Sequence, residues 1–308
     1  MTSGTKDAAM PATGRQYRLS RGNSSAVIAS LGGALRSYTV GGTELVETYP
    51  DSSIPPSASG ILLAPWANRI AGGQWTLDGT KQQLDITEPQ LGNAIHGLLR
   101  NTGYTARESS AASVTLAAEI FPQHGYPFHL VHEVRYSLDN DGGLRVRQEL
   151  ANLSARRAPF ALGAHPFLRL GEVPSEDLVL RVDAAEKLTT DGAMIPNGRV
   201  PAEGADDLSS GKRVGGLDLD AAFTGLTVRD GAYRHVLTAA DGRSVQLWAE
   251  PGFEYVHVFV TDKFPGRSCA VALEPMTAPA DCFNSGEGLR WLEPGGKFGA
   301  EWGILADL

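Results

Sequence analysis

Five short segments carry side chains that can grip a polyol or move a proton. The first, Leu62-Leu63-Ala64-Pro65-Trp66-Ala67-Asn68-Arg69-Ile70, sets a planar amide beside a five-donor guanidinium. Asn68 and Arg69 together suit neighbouring hydroxyl groups. The second, Asn93-Ala94-Ile95-His96-Gly97, puts an imidazole next to a glycine in an expected loop, from which it can reach into a cleft. The third is Leu162-Gly163-Ala164-His165-Pro166-Phe167. Pro166 has no N–H and biases His165 toward extended backbone, so the ring is held at a strand end beside Phe167, as proton transfer requires. The fourth is Val271-Ala272-Leu273-Glu274-Pro275-Met276-Thr277, where Glu274 ends an apolar run begun at Cys269. Burial there would raise its pKa and make it a better base. The fifth, Leu217-Asp218-Leu219-Asp220-Ala221-Ala222-Phe223, holds two acids that share a face if the segment is extended. Taken singly, each segment also fits a structural role: a surface Arg, a turn Asn, a backbone-bonded His, a solvated strand-end Glu, an acidic loop.

Other chemistries find no pattern. His129 and His132 are three apart, which puts them on opposite faces of a strand, and no paired-cysteine motif accompanies them or His124, so no metal site is expected. There is no Walker-type phosphate loop, no G-x-G-x-x-G after a strand and no G-x-S-x-G elbow, so no nucleotide cofactor is expected either. Cys269 and Cys282 are not a disulfide framework and read as reduced thiols, which with the lack of a signal-peptide pattern points to the cytoplasm. A net charge of −8 without a basic block argues against nucleic-acid and anionic-membrane partners. No apolar run reaches the ~18 residues of a membrane helix.

The elements that must position these side chains read as strands. Gln16–Ser20 and Ser25–Ala29 flank a Gly-Asn turn, and Gln74–Leu84 folds back at Asp78-Gly79. Further alternating runs cover residues 113–119, 129–136, 144–150, 177–182, 235–239, 244–249, 255–260 and 269–274. Turn signals recur every ten or so residues and 3.6-residue periods are scarce, which predicts an all-β sandwich or barrel. Residues 1–15 read as a flexible polar tail, residues 16–308 as one domain, and residues 196–216, rich in Gly, Ser and Asp, as a long surface loop.

In their order, LLAPWANRI, NAIHGLLR, LGAHPF, LDLDAAF and ALEPMTAPADCFN resemble the aldose 1-epimerase (galactose mutarotase) family over roughly residues 60 to 300. The resemblance implies a large antiparallel β-sandwich of the galactose mutarotase-like type that binds a hexose in a cleft. It implies a general base at Glu274, a general acid at His165, and sugar contacts at Arg69 and His96 with Asn68 beside them. The family's Asp three residues before a Phe selects Asp220 over Asp218. The chain departs from the pattern at Glu254, where the family often has Gln, and at Pro166, so the preferred aldose does not carry over.

The implied reaction opens the sugar at C1 and recloses it. Glu274 takes the C1 hydroxyl proton while His165 gives one to the ring oxygen. Ordinary Glu and His titrate near ~4.3 and ~6.5, so a bell-shaped pH profile is expected, wider if each stabilises the other's charge. The rivals are a non-catalytic sugar-binding protein, a hexose-6-phosphate epimerase and a two-carboxylate glycoside hydrolase. A monomer and a homodimer are equally compatible with the sequence.

Overall fold

The computed structural model describes residues 10–308. Nearly all of the regular structure is antiparallel strand, as the turn spacing predicts. The longest helix is the four-residue turn Cys282–Ser285. Two large sheets dominate. One has nine strands and is centred on Leu130–Leu138, Leu144–Asn152 and Lys297–Asp307. The other includes Ala184–Thr190, Asp220–Leu226, Tyr255–Thr261 and Ala270–Met276 as successive neighbours, followed by the short strands Gly163–Ala164 and Leu62–Leu63.

The alternation of apolar residues decides the faces. In Leu130–Leu138 the residues Leu130, His132, Val134, Tyr136 and Leu138 are buried while Glu133 and Arg135 are exposed. The partner strand Leu144–Asn152 repeats the pattern in register, with Tyr136 opposite Val146. In the second sheet, Val256, Val258, Val271, Leu273, Ala221 and Phe223 face the shared core. Their alternates emerge on the far face, and these include Asp220, His257 and Glu274. The functional face is therefore the side of the second sheet that the core does not use.

Two expectations need correction. Within the stretch read as a loop, Pro196–Pro201 forms an edge strand against Ala184–Thr190, a place where Pro and Gly are tolerated because one side needs no partner. Of the tail expected over residues 1–15, residues 1–9 lie outside the described residues. Thr13 is buried and its Oγ1 donates to the Asp51 carbonyl, and the Arg15 carbonyl accepts from Ser30 N–H, so residues 13–15 are tied to the fold. Cys269 and Cys282 are both free thiols.

The core also holds neutral histidines. His132 Nε2 donates to Gln148 Oε1 at 3.2 Å, which leaves Nδ1 to accept the Tyr104 hydroxyl at 2.8 Å. His235 Nδ1 is buried without a partner among the described residues. Burial pushes both rings down to about 4. A depressed folded-state value means that the unfolded chain takes up the proton first as pH falls. The stability is complete above the ordinary value of ~6.5 and is lost as pH drops toward 4. At pH 5 each ring should cost about 2 kcal/mol. We expect thermal unfolding to show a lower Tm at pH 5 than at pH 7.5, and His235→Leu to flatten that slope. An unchanged Tm across this range would contradict the neutral assignment.

Candidate active site

Glu274 sits in a row of facing side chains across three strands. The strand Ala270–Met276 pairs with Tyr255–Thr261 so that Glu274 lies opposite His257. On its other side Gly163 pairs with Met276 and Phe167 with Ala272. That single register, continued between them, sets His165 opposite Glu274. The ladder is interrupted there because Pro166 has no N–H to donate. His165 uses its backbone the other way, donating to the Ile61 carbonyl and accepting from Gly60 N–H. The ring is thereby fixed, stacked on Phe167 at 5.3 Å between centroids. His165 Nε2 stands 3.4 Å from Glu274 Oε1, and the two residues are 4% and 2% exposed. Burial pushes the His165 imidazole below its usual value, while the Glu274 charge works against that shift.

Two short strands lie over this face; Arg69 begins one with Asn68 just before it, and His96 follows the other. Arg69–Ile70 pairs with Ala94–Ile95, and His96 N–H donates to the Asn68 carbonyl at 2.8 Å. Asn68 and His96 both have positive φ, 53° and 65°, a conformation that non-glycine residues hold only where their surroundings enforce it. His96 is edge-on to His165 at 5.2 Å between centroids. Its burial, reinforced by the nearby His165 and arginine charges, holds it well below the ordinary imidazole value.

Arg69 is less free than the sequence suggested. Nε and Nη2 donate to the two carboxylate oxygens of Glu88 at 2.9 and 3.0 Å, and Nη1 reaches Asn68 Oδ1 at 3.3 Å. This bidentate clamp aims the guanidinium and leaves its remaining N–H groups for a ligand. Glu88 lies in a turn, and nothing in its own sequence context marks it as a partner.

Of the two aspartates, Asp220 is the one that faces the site, as the resemblance selects. Its Oδ1 accepts from His257 Nε2 at 2.7 Å. Burial works against the Asp220 charge, yet the His257 hydrogen bond and charge, with Arg69 and His165, hold the carboxyl below its usual value. The His257 imidazole is raised. Burial opposes its charge, but the Asp220 hydrogen bond and the Glu274 and Asp220 charges outweigh that. Asp218 lies in an adjoining groove that shares Asp220 and Phe259 with this one. Glu254 does not line the cavity that holds these residues and meets Arg290 at 3.4 Å.

Together these groups line a cavity of about 520 Å³, inside the roughly 300–1,000 Å³ usual for small-molecule sites. His96 Nδ1, His165 Nδ1 and Glu274 Oε2 are buried with no partner among the described residues. Orphaned polar atoms are rare in folded proteins, and three of them fall on residues that line this one cavity. All six residues singled out from the sequence line it. Sequence reasoning missed His257, Glu88 and Arg100, which line it too.

The sequence profile of the family described as aldose 1-epimerase matches residues 15–304. The chain belongs to the aldose 1-epimerase family. It is accordingly an isomerase, of the general epimerase or mutarotase kind. Among relatives of this family member, the uncharacterized protein YihR of Escherichia coli is 31% identical over 287 residues, covering 93% of this chain and 91% of that one. A galactose mutarotase of Rattus norvegicus is 28% identical over 228 residues, covering 68% and 65%. The fold matches that of a galactose 1-epimerase from Lactobacillus acidophilus with a TM-score of 0.78 at 22% identity, covering 94% and 93% of the two chains. It also matches a GalM/aldose epimerase homologue from C. elegans at 0.84 and 17% identity, covering 95% and 98%. The all-β fold expected from the strand pattern, and the antiparallel β-sandwich that the resemblance implies, are borne out for this family member. No helix among the described residues is long and apolar enough to cross a membrane.

Proposed function

We propose that the protein interconverts the α and β anomers of a hexose, with Glu274 as general base and His165 as general acid. The observation that carries this reading is the convergence of one buried carboxylate and one buried imidazole, 3.4 Å apart, on a cavity with unpartnered polar atoms. The C1 hydroxyl and the ring oxygen share one carbon, so the base and the acid must converge in this way. Glu274 accepts the hydroxyl proton, His165 donates to the ring oxygen, and the C1–O5 bond breaks to give the open aldehyde. Rotation about C1–C2 presents the other face, and the same groups, with roles reversed, close the ring. Arg69, Asn68, His96 and Asp220 hold the remaining hydroxyls. Residues 16–308 act as one catalytic domain in this reading.

The downward push on His165 bears on the pH profile. The profile remains bell-shaped, but its alkaline limb in free enzyme falls at or below the usual imidazole value instead of being widened upward. A rate still climbing above pH 9 would contradict the assigned roles. The two-carboxylate hydrolase loses support because Asp220 is committed to His257 and Glu254 lies elsewhere.

One observation favours a second reading. Arg100 is half-buried at the cavity and has no carboxylate within 4 Å among the described residues, so a hexose 6-phosphate would find a cation there. Polarimetry on freshly dissolved α-D-glucose, α-D-galactose and α-D-glucose 6-phosphate separates these readings. Faster drift with a neutral hexose supports the first, and acceleration confined to the phosphate supports the second. Binding of sugar without acceleration would leave only a sugar-binding protein.

A further inference from the structure

Glu274 is flanked by two imidazoles in its row, His165 on one side and His257 on the other. A carboxylate that is 2% exposed stays ionised only with compensating charge close by. His165 supplies that charge poorly. It is buried, its Nδ1 has no partner among the described residues, and although its Nε2 lies 3.4 Å from Glu274, closer than either ring nitrogen of His257, no hydrogen bond joins the two. His257 differs in one decisive respect. Its Nε2 donates to Asp220 at 2.7 Å, the arrangement by which a carboxylate orients an imidazole and stabilises its protonated form. The placement follows from the register. Ala222 lies opposite His257, and Asp220 lies opposite Phe259, so Asp220 is the diagonal neighbour of His257 on the same face.

We propose that His257 is a positioning residue: as a cation anchored by Asp220, it holds Glu274 in the ionised form that accepts the sugar proton. Resting on the epimerase reading above, this assigns to Asp220 the support of His257 in addition to any contact with sugar. The charged and titratable groups facing His257 are Asp220 on the strand Asp220–Leu226, Glu274 on Ala270–Met276, His165 beyond it, and Arg69 and His96 on the covering strands. Arg69 opposes the His257 charge, but its own charge is matched by Glu88. The site thus separates two imidazoles by function. His257 stays charged and fixed, and His165, 3.4 Å from Glu274 with no hydrogen bond to it, remains free to exchange its proton with substrate.

The test compares wild type, His257→Gln and Asp220→Asn by the pH dependence of kcat and by KM for the preferred hexose. Loss of the cation should move the acid limb of the kcat profile upward, with kcat near pH 6 falling more than KM rises. Asp220→Asn should move it the same way by less. A rise in KM with the acid limb unmoved would overturn the proposal and make His257 a plain sugar contact. An unchanged enzyme would overturn it as well. Should either variant fold poorly, wild-type protein labelled with ¹⁵N-histidine answers directly. As pH is raised, one imidazole should keep the ¹⁵N pattern of an imidazolium beyond the ordinary imidazole value, and a spectrum in which no ring does so refutes the proposal. An inactive wild type refutes the epimerase reading instead, so the two failures are distinguishable.

Discussion

Glu274→Gln should lower the rate of anomer interconversion by about 10²–10⁴-fold, the contribution of one positioned acid–base group. The amide keeps the size and shape of the side chain but accepts no proton from the C1 hydroxyl. Glu274 is also the charge that favours protonated His165, so the variant pushes that ring further down and weakens both ends of the reaction. Sugar affinity should change little, because Arg69, Asn68, His96 and Asp220 remain. Stability should hold or rise, since a buried carboxylate with one unpartnered oxygen is exchanged for a neutral isostere. Polarimetry, sugar titration and thermal unfolding of the same preparation check the three statements. Activity retained within threefold would remove Glu274 from the mechanism.

Gly97→Ala should be the most damaging small substitution at the site. Gly97 has φ of +73°, and a Cβ there would lie 2.1 Å from the Ala64 carbonyl oxygen and 2.4 Å from its carbon. These are backbone atoms of the segment leading to Asn68 and Arg69, bonded to this one through Leu98 N–H and the Ala64 carbonyl. Relief requires the two segments to part, which carries His96 away from His165. We expect a loss of roughly 2–4 kcal/mol, a Tm lower by about 4–10 °C, and most of the activity gone. Gly92→Ala is the control. Its φ is +73° as well, but nothing lies within 4 Å of the added methyl group. It should lose about 1 kcal/mol and leave the rate intact. Equal Tm values for the two variants would show that the close approach to Ala64 is not what requires glycine at position 97.

The sequence carried the fold because a sheet buried on one face writes its period directly into the chain, as Leu130–Leu138 does. Glu274 and His165 stand out as candidates because an acid ending an apolar run and a His beside a proline are locally odd, but only the family resemblance gives them roles. His257 does not stand out, since Tyr-Val-His-Val-Phe-Val reads as an ordinary strand and only cross-strand register places its ring opposite Glu274. Knowing that the valines face the core puts His257 on the functional face, but its Asp220 partner is 37 residues away. Glu88 is hidden for a similar reason, because it meets Arg69 only after the turn folds back. Pro196–Pro201 was read as a loop because an edge strand tolerates the Pro and Gly that normally end one.

The most direct test of the central claim is exchange NMR on D-glucose and D-galactose at anomeric equilibrium, with and without catalytic amounts of the protein. Exchange cross-peaks between the α and β anomeric protons should build up faster with protein than in buffer, with no such gain for Glu274→Gln. Exchange no faster than in buffer with the wild-type protein, for either sugar, would contradict that claim.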